Sequence, residues 1–160
     1  MAGIAGGAGI GQAAIIASGA GDSKRASQLI GLAKNSSSLS VGSAAVVVDL
    51  LAGKASSAEQ QVRRLKEGFS VNEIDLALNR AAALLMRDRR TDAALTLLEF
   101  NASVFPESWM AWNSLGAAYF RLGRTEEALE AYQKVLELNP GHAAAKRMIE
   151  RIKKKKQNPR

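Results

Sequence analysis

The sequence predicts an all-α protein: a short α-solenoid of two helix-turn-helix units plus a C-terminal capping helix, preceded by a Gly/Ala-rich region without clear element boundaries. Two observations predict it. From residue 72 to residue 152, apolar side chains recur at intervals of three and four, the stripe of an amphipathic helix. The large, small and helix-ending residues of 107–140 also find counterparts 34 positions earlier.

Residues 1–55 form a Gly/Ala/Ser-rich region, read as flexible or partly packed. Its first 21 residues hold seven Gly and seven Ala, with no charge before Asp22. Gly3, Gly7 and Gly11 repeat the small-residue spacing of packed membrane helices, but each glycine costs about 1 kcal/mol against Ala in a helix. A secretory signal would need a basic start, and none precedes the apolar part. Gly9-x-Gly11-x-x-Ala14 has the spacing of a dinucleotide turn without room for the strand that must precede it. Ser36-Ser37-Ser38 reads as a loop, and Val41 to Leu51 as either a helix or a buried strand, because a short apolar run does not separate the two.

Residues 56–71 are a candidate N-terminal packing helix, with Ser56 and Glu59 at capping-box spacing and Val62, Leu65 and Phe69 as its stripe. In 107–140, Trp112, Leu115, Tyr119 and Leu122 line a first helix that Gly123 can end, and Thr125 is placed to cap a second. Ala128, Tyr132, Val135 and Leu136 form the second stripe, and Asn139-Pro140 stops it. Gly116 and Ala128 are small where two helix axes must approach. Shifted back by 34, Trp112 falls on Leu78, Leu115 on Ala81, Gly116 on Ala82, Tyr119 on Leu85, Gly123 on Arg89, Ala128 on Ala94, Tyr132 on Leu98 and Pro140 on Pro106. Residues 72–106 are therefore a degenerate copy whose turn must close without glycine. Residues 141–160 are a capping helix and basic tail, with Ala143, Ala145, Ile149 and Ile152 inward and Lys146, Arg147, Arg151 and Lys154 outward.

The pattern Trp112-x-x-Leu115-Gly116-x-x-Tyr119, then Ala128, Tyr132 and Pro140, resembles the tetratricopeptide repeat, with Tyr132 where that family's pattern has Phe. The resemblance implies a module that presents surfaces rather than one that carries out reactions. It places first helices on a concave face, where Asn79, Met86 and Arg87 of the first copy line up with Asn113, Phe120 and Arg121 of the second. Met110, Arg147 and Arg151 extend that row. Asparagines 34 apart would bond a peptide backbone, Met and Phe would give an adaptable apolar floor, and arginines would favour carboxylates. The implied partner is a protein or peptide with acidic and apolar groups. The row does not reproduce the lysine-asparagine clamp that some members use for chaperone C-termini. Residues 73–152 also resemble the repeat tails that bacteria append to serine hydrolases, on Glu99 to Ser108 followed by Trp112-Asn113-Ser114-Leu115-Gly116. That implies an alternative, the C-terminal accessory part of a hydrolase or peptidase whose catalytic residues have no counterpart here.

Composition bounds the rest. With no cysteine there are no disulfides, thiolate metal sites or cysteine nucleophiles, which suits a reducing cytoplasm and leaves the periplasm open. The single histidine, His142, sits at the start of the last helix, suited to capping. No zinc cluster, Walker loop or nucleophile elbow is present, so no cofactor, metal or catalytic residue is expected. Glu126-Glu127 and Asp88-Asp92 are explained by helix starts and exposed faces. The net charge of +7 divides into +3 over residues 1–71, −3 over 72–140 and +7 over 141–160. Nucleic acid should meet the Lys153 to Lys156 run only weakly and without sequence preference, since aromatic stacking groups are not interleaved with it. Membrane association is not expected, and an exposed repeat edge leaves room for self-association.

Overall fold

The computed structural model describes residues 7–33 and 38–157. The glycine-rich start before Gly7, Ser36-Ser37 of the expected loop and the tail beyond Gln157 lie outside them. Among the described residues there are nine α-helices and no strand: α1 (Gly7–Gly19), α2 (Ser23–Leu32), α3 (Leu39–Leu51), α4 (Ala55–Leu65), α5 (Val71–Arg87), α6 (Thr91–Val104), α7 (Trp109–Arg121), α8 (Thr125–Leu138) and α9 (Ala143–Gln157). The chain divides into two compact units, Met1–Leu97 and Leu98–Arg160.

In the first unit the described part of the glycine-rich segment, from Gly7 to Gly19, is helical and packed. α1 lies against α2, α3 and α5, with Ala14, Ile15 and Ala17 buried. Two of its glycines, Gly11 and Gly19, sit where a side chain does not fit, so packing offsets their poor helix propensity. A Cβ on Gly11 would stand 2.8 Å from the Ser40 carbonyl oxygen, and one on Gly19 would overlap the Leu85 side chain. The ambiguous run at 41–51 belongs to helix α3, with Val41, Ala44, Val46, Val47 and Val48 buried. Its N-cap is Ser38, whose Oγ accepts from the Val41 amide.

The expected capping box is corrected. α4 starts at Ala55, with Lys54 at the N-cap and no side-chain bond, so Ser56 and Glu59 form no capping box. Ser57 donates instead to Asp49 (2.7 Å), and Glu59 pairs along the helix with Arg63 (3.8 Å). The box lies at the next helix. Ser70 Oγ accepts from the Glu73 amide, and Glu73 accepts from the Ser70 amide at 2.9 Å. The Glu73 carboxylate also accepts from the Ser70 hydroxyl (2.7 Å), and that bond first, then the Ser70 amide, holds it below its ordinary range. α4 therefore ends at Leu65 rather than running on through Phe69.

α5 buries Ile74, Leu78, Ala81, Ala82 and Leu85. Its closing turn carries Arg89 at φ 60°, the one positive-φ residue other than glycine among the described residues. The Arg90 amide donates back to the Leu85 carbonyl (2.8 Å), as the Arg124 amide does to Tyr119 (2.9 Å) around Gly123 at φ 76°. The same turn is made with and without glycine.

Candidate interaction surface on α7 and α9

The second unit is built around the α7–α8 hairpin and α9, which packs on α8. Gly116 lets the hairpin close. A Cβ there would stand 3.3 Å from Ala131 Cβ and from the Tyr132 ring, while Ala128 is fully buried. Leu115, Tyr132 and Val135 are buried as well. Trp112 Nε1 donates to the Pro106 carbonyl at 2.8 Å, fixing the entry to α7, and Pro140 follows the C-cap Asn139. Ser108 caps α7 by accepting from the Ala111 amide.

Tyr119 anchors a polar network on the hairpin. Its hydroxyl donates to Glu99 (2.8 Å), Arg124 stacks over its ring (4.5 Å) and Arg124 pairs with Glu127 (2.8 Å). Burial first, then the Glu99 bond, pushes the phenol up to about 12. Thr125 is not the cap of α8. It is the first helical residue, follows Arg124 at the N-cap and donates its hydroxyl to Glu126 (2.9 Å). Leu122 is not in the apolar stripe either, being the exposed C-cap of α7.

α9 is positioned from both ends. At its start His142 Nδ1 accepts from the Ala145 amide (3.1 Å), and the imidazole lies 4.8 Å from the Trp109 ring. At its end Lys156 pairs with Glu126 at 2.7 Å. That lysine, and secondarily the Thr125 hydroxyl, pulls the Glu126 carboxyl down to about 2. Between them Ala145 and Ile152 are buried, with Met148 and Ile149 packed beside them. Ala143 is exposed, contrary to the expected stripe, because the inward face starts at Ala145 and runs through Met148.

This places Phe120 against the α8–α9 core, with Arg151 Cζ 5.1 Å and Lys155 Nζ 6.0 Å from its ring centroid. Phe120 and Arg151, assigned to one face from sequence, do meet. Lys155 was read only as tail; no local pattern marks it, since its contact depends on the register of α9 against α7. Met110 and Asn113 are half-buried on α7, while Arg121 on α7 and Arg147 on α9 are exposed. Among the described residues neither Arg121, Arg147 nor Arg151 has an acidic partner.

The expected residues of the first copy lie in the first unit. Asn79 Nδ2 donates to the fully buried Asp75 carboxylate at 2.6 Å, and its Oδ1 is enclosed without a partner. Its amide N–H is thus turned along its own helix. Met86 is half-buried and Arg87 exposed.

Paired antiparallel helices of this kind make the second unit an α-helical hairpin repeat with a packed final helix. Residues 109–142 match the family model of the tetratricopeptide repeat, so the chain carries one such repeat there. Among solved structures it is similar to PilF of Pseudomonas aeruginosa, at 21% identity over 94% of this chain and 71% of that one, with a TM-score of 0.50. It is also similar to MamA of AMB-1, at 19% identity over 92% and 81%, with a TM-score of 0.49. No curated protein matches it in sequence. The resemblance to hydrolase tails gains no support from these matches.

Proposed function

We propose that the chain is a non-catalytic protein-interaction module that holds an acidic, partly apolar protein segment on the α7–α9 face. The observation that carries this reading is the convergence of Arg151 and Lys155 on the Phe120 ring, neither of them in an ion pair among the described residues. Two like charges side by side repel, and a partner's carboxylate would relieve that repulsion while an apolar side chain covers the exposed part of the ring. Asn113 supplies an amide for the partner's backbone, and Met110 an adaptable contact. Arg121 and Arg147 add positive potential at the margin.

The experiment is site-specific photocrosslinking in the native cell. A photoreactive residue at Ala117, half-buried on α7, is compared with one at Gln133, exposed on α8. The reading expects adducts at position 117 that disappear in an Arg151→Ala/Lys155→Ala variant of unchanged helical content. Equal adducts at both positions, or adducts indifferent to the double substitution, would remove the face assignment.

A further inference from the structure

The caps of α7 and α9 occupy the same place in the repeat, 34 residues apart, and differ in one chemical respect. At Ser108 the main-chain carbonyl accepts from the Trp112 amide and the hydroxyl oxygen accepts from the Ala111 amide, both at 3.3 Å. At His142 the carbonyl accepts from the Lys146 amide (3.3 Å) and Nδ1 accepts from the Ala145 amide (3.1 Å). The bonds correspond one for one. A hydroxyl oxygen keeps its lone pairs across the ordinary pH range, whereas Nδ1 accepts only while the imidazole is neutral. His142 is the one histidine of a chain without cysteine, so no other side chain ordinarily changes charge between about pH 5 and 8.

Protonation has three local effects, and two of them oppose the seating of α9. It removes the acceptor of the Ala145 amide, and Ala145 is fully buried in the α8–α9 core, where water is a poor replacement. It also sets a positive charge at the positive end of a 15-residue helix. Against these, an imidazolium is attracted by the Trp109 ring, whose centroid lies 4.8 Å away. That contact is tilted by 49° and Trp109 is exposed, which keeps the attraction at the weak end of its range, so the two losses prevail. Neighbouring charge does not reverse the balance. From α7 the ring is met by Trp109, the stretch Asn139 to Gly141 before it is uncharged, and the next charges along α9 are Lys146 and Arg147, both positive. Among the described residues His142 forms no ion pair.

We propose that His142 makes the seating of α9 acid-sensitive: the helix is capped while the imidazole is neutral and is released at its first turn when the ring takes up a proton. Since only the neutral ring makes the cap, its stabilisation is complete above the imidazole range and is lost as pH falls through it. Arg151 and Lys155 ride on the same helix, so the α7–α9 face loosens with it. That consequence rests on the reading of the face as a binding surface. The acid response of the helix does not, and it is measured without a partner.

The test is thermal unfolding of the full chain, followed by circular dichroism from about pH 8 to about pH 5, in wild type, His142→Ser and His142→Ala. The serine variant copies the cap that the repeat already uses at Ser108. Wild type should match His142→Ser at the upper end and fall to the level of His142→Ala at the lower, a loss of about 4–8 °C in Tm against the serine variant. The two variants should run parallel throughout. If His142→Ser loses helical content, His142→Asn takes its place as the cap that does not titrate. Trp109→Leu should enlarge the acid loss, because it removes the one contact that favours the imidazolium. Amide exchange by NMR reads the same event locally: the Ala145 amide should exchange faster relative to the Ala111 amide in acid than at neutral pH, the ratio cancelling the intrinsic effect of pH. Parallel profiles of wild type and the serine or asparagine variant, or an unchanged exchange ratio, would overturn the proposal. So would an acid loss that Trp109→Leu removes, since it would then arise from the ring contact and not from the cap.

Discussion

Replacing Arg89 with glycine should stabilise the protein, although it removes a whole side chain. Arg89 sits at φ 60°, where its Cβ crowds the following carbonyl. The turn one repeat later holds the same backbone bonds around Gly123 at φ 76°. Relief of the left-handed conformation is worth about 1–2 kcal/mol, and glycine's extra freedom in the unfolded chain offsets about 0.4–1 of that. The net gain is about 0.5–1 kcal/mol, or about 3–6 °C in Tm for a unit of this size. Arg89 is exposed and has no ion pair among the described residues, so little is lost with it. Thermal and urea unfolding followed by circular dichroism would measure the change. Arg89→Ala separates the two causes, because it deletes the charge and keeps the strained backbone. Gly123→Arg should cost what Arg89→Gly gains. If Arg89→Gly is neutral or destabilising while Gly123→Arg is tolerated, the backbone argument is wrong.

Three other outcomes are expected. His142→Ala should cost about 1 kcal/mol by unfolding, because the Ala145 amide loses its acceptor, and His142→Asn should restore most of it. The Glu126 carboxyl should titrate near 2 by NMR and return toward 4.5 in Lys156→Ala. Since the folded value is depressed, the stabilisation this pair supplies is complete above the ordinary value and fades as pH falls from about 4.5 to about 2, so a pH profile of Tm that is identical in wild type and Lys156→Ala would contradict it. Deleting residues 153–160 should abolish any low-salt binding to DNA measured by gel shift, and sequence preference at physiological salt would refute the expectation of nonspecific contact.

How much was legible in the sequence follows from where each signal is stored. The hairpin of Trp112, Leu115, Gly116, Tyr119, Ala128 and Tyr132 could be read because its packing lies within one repeat, between residues of fixed offset. The turn at Arg89 was legible for the same reason: register placed a non-glycine where Gly123 stands, and the backbone there is left-handed. The first two helices were not, because their evidence is long-range; α3 was left between helix and strand, and α4 was expected but with a later end. Gly11 and Gly19 count against a helix by propensity, and only the Ser40 carbonyl and the Leu85 side chain explain why nothing larger fits. The capping box shows a different failure. Ser70-x-x-Glu73 had the same spacing as Ser56-x-x-Glu59, but the stripe of Val62, Leu65 and Phe69 was extended across the true boundary, so the wrong pair was chosen. Lys155 belongs with α1, since a lysine run says nothing of which member reaches an aromatic ring; that is set by Ala145 and Ile152 locking α9 in place. The face proposed here can change by sliding one helix without altering the repeat motif. The motif therefore specifies the scaffold, and the proposed partner is to be sought through the charges that α9 leaves without ion pairs among the described residues.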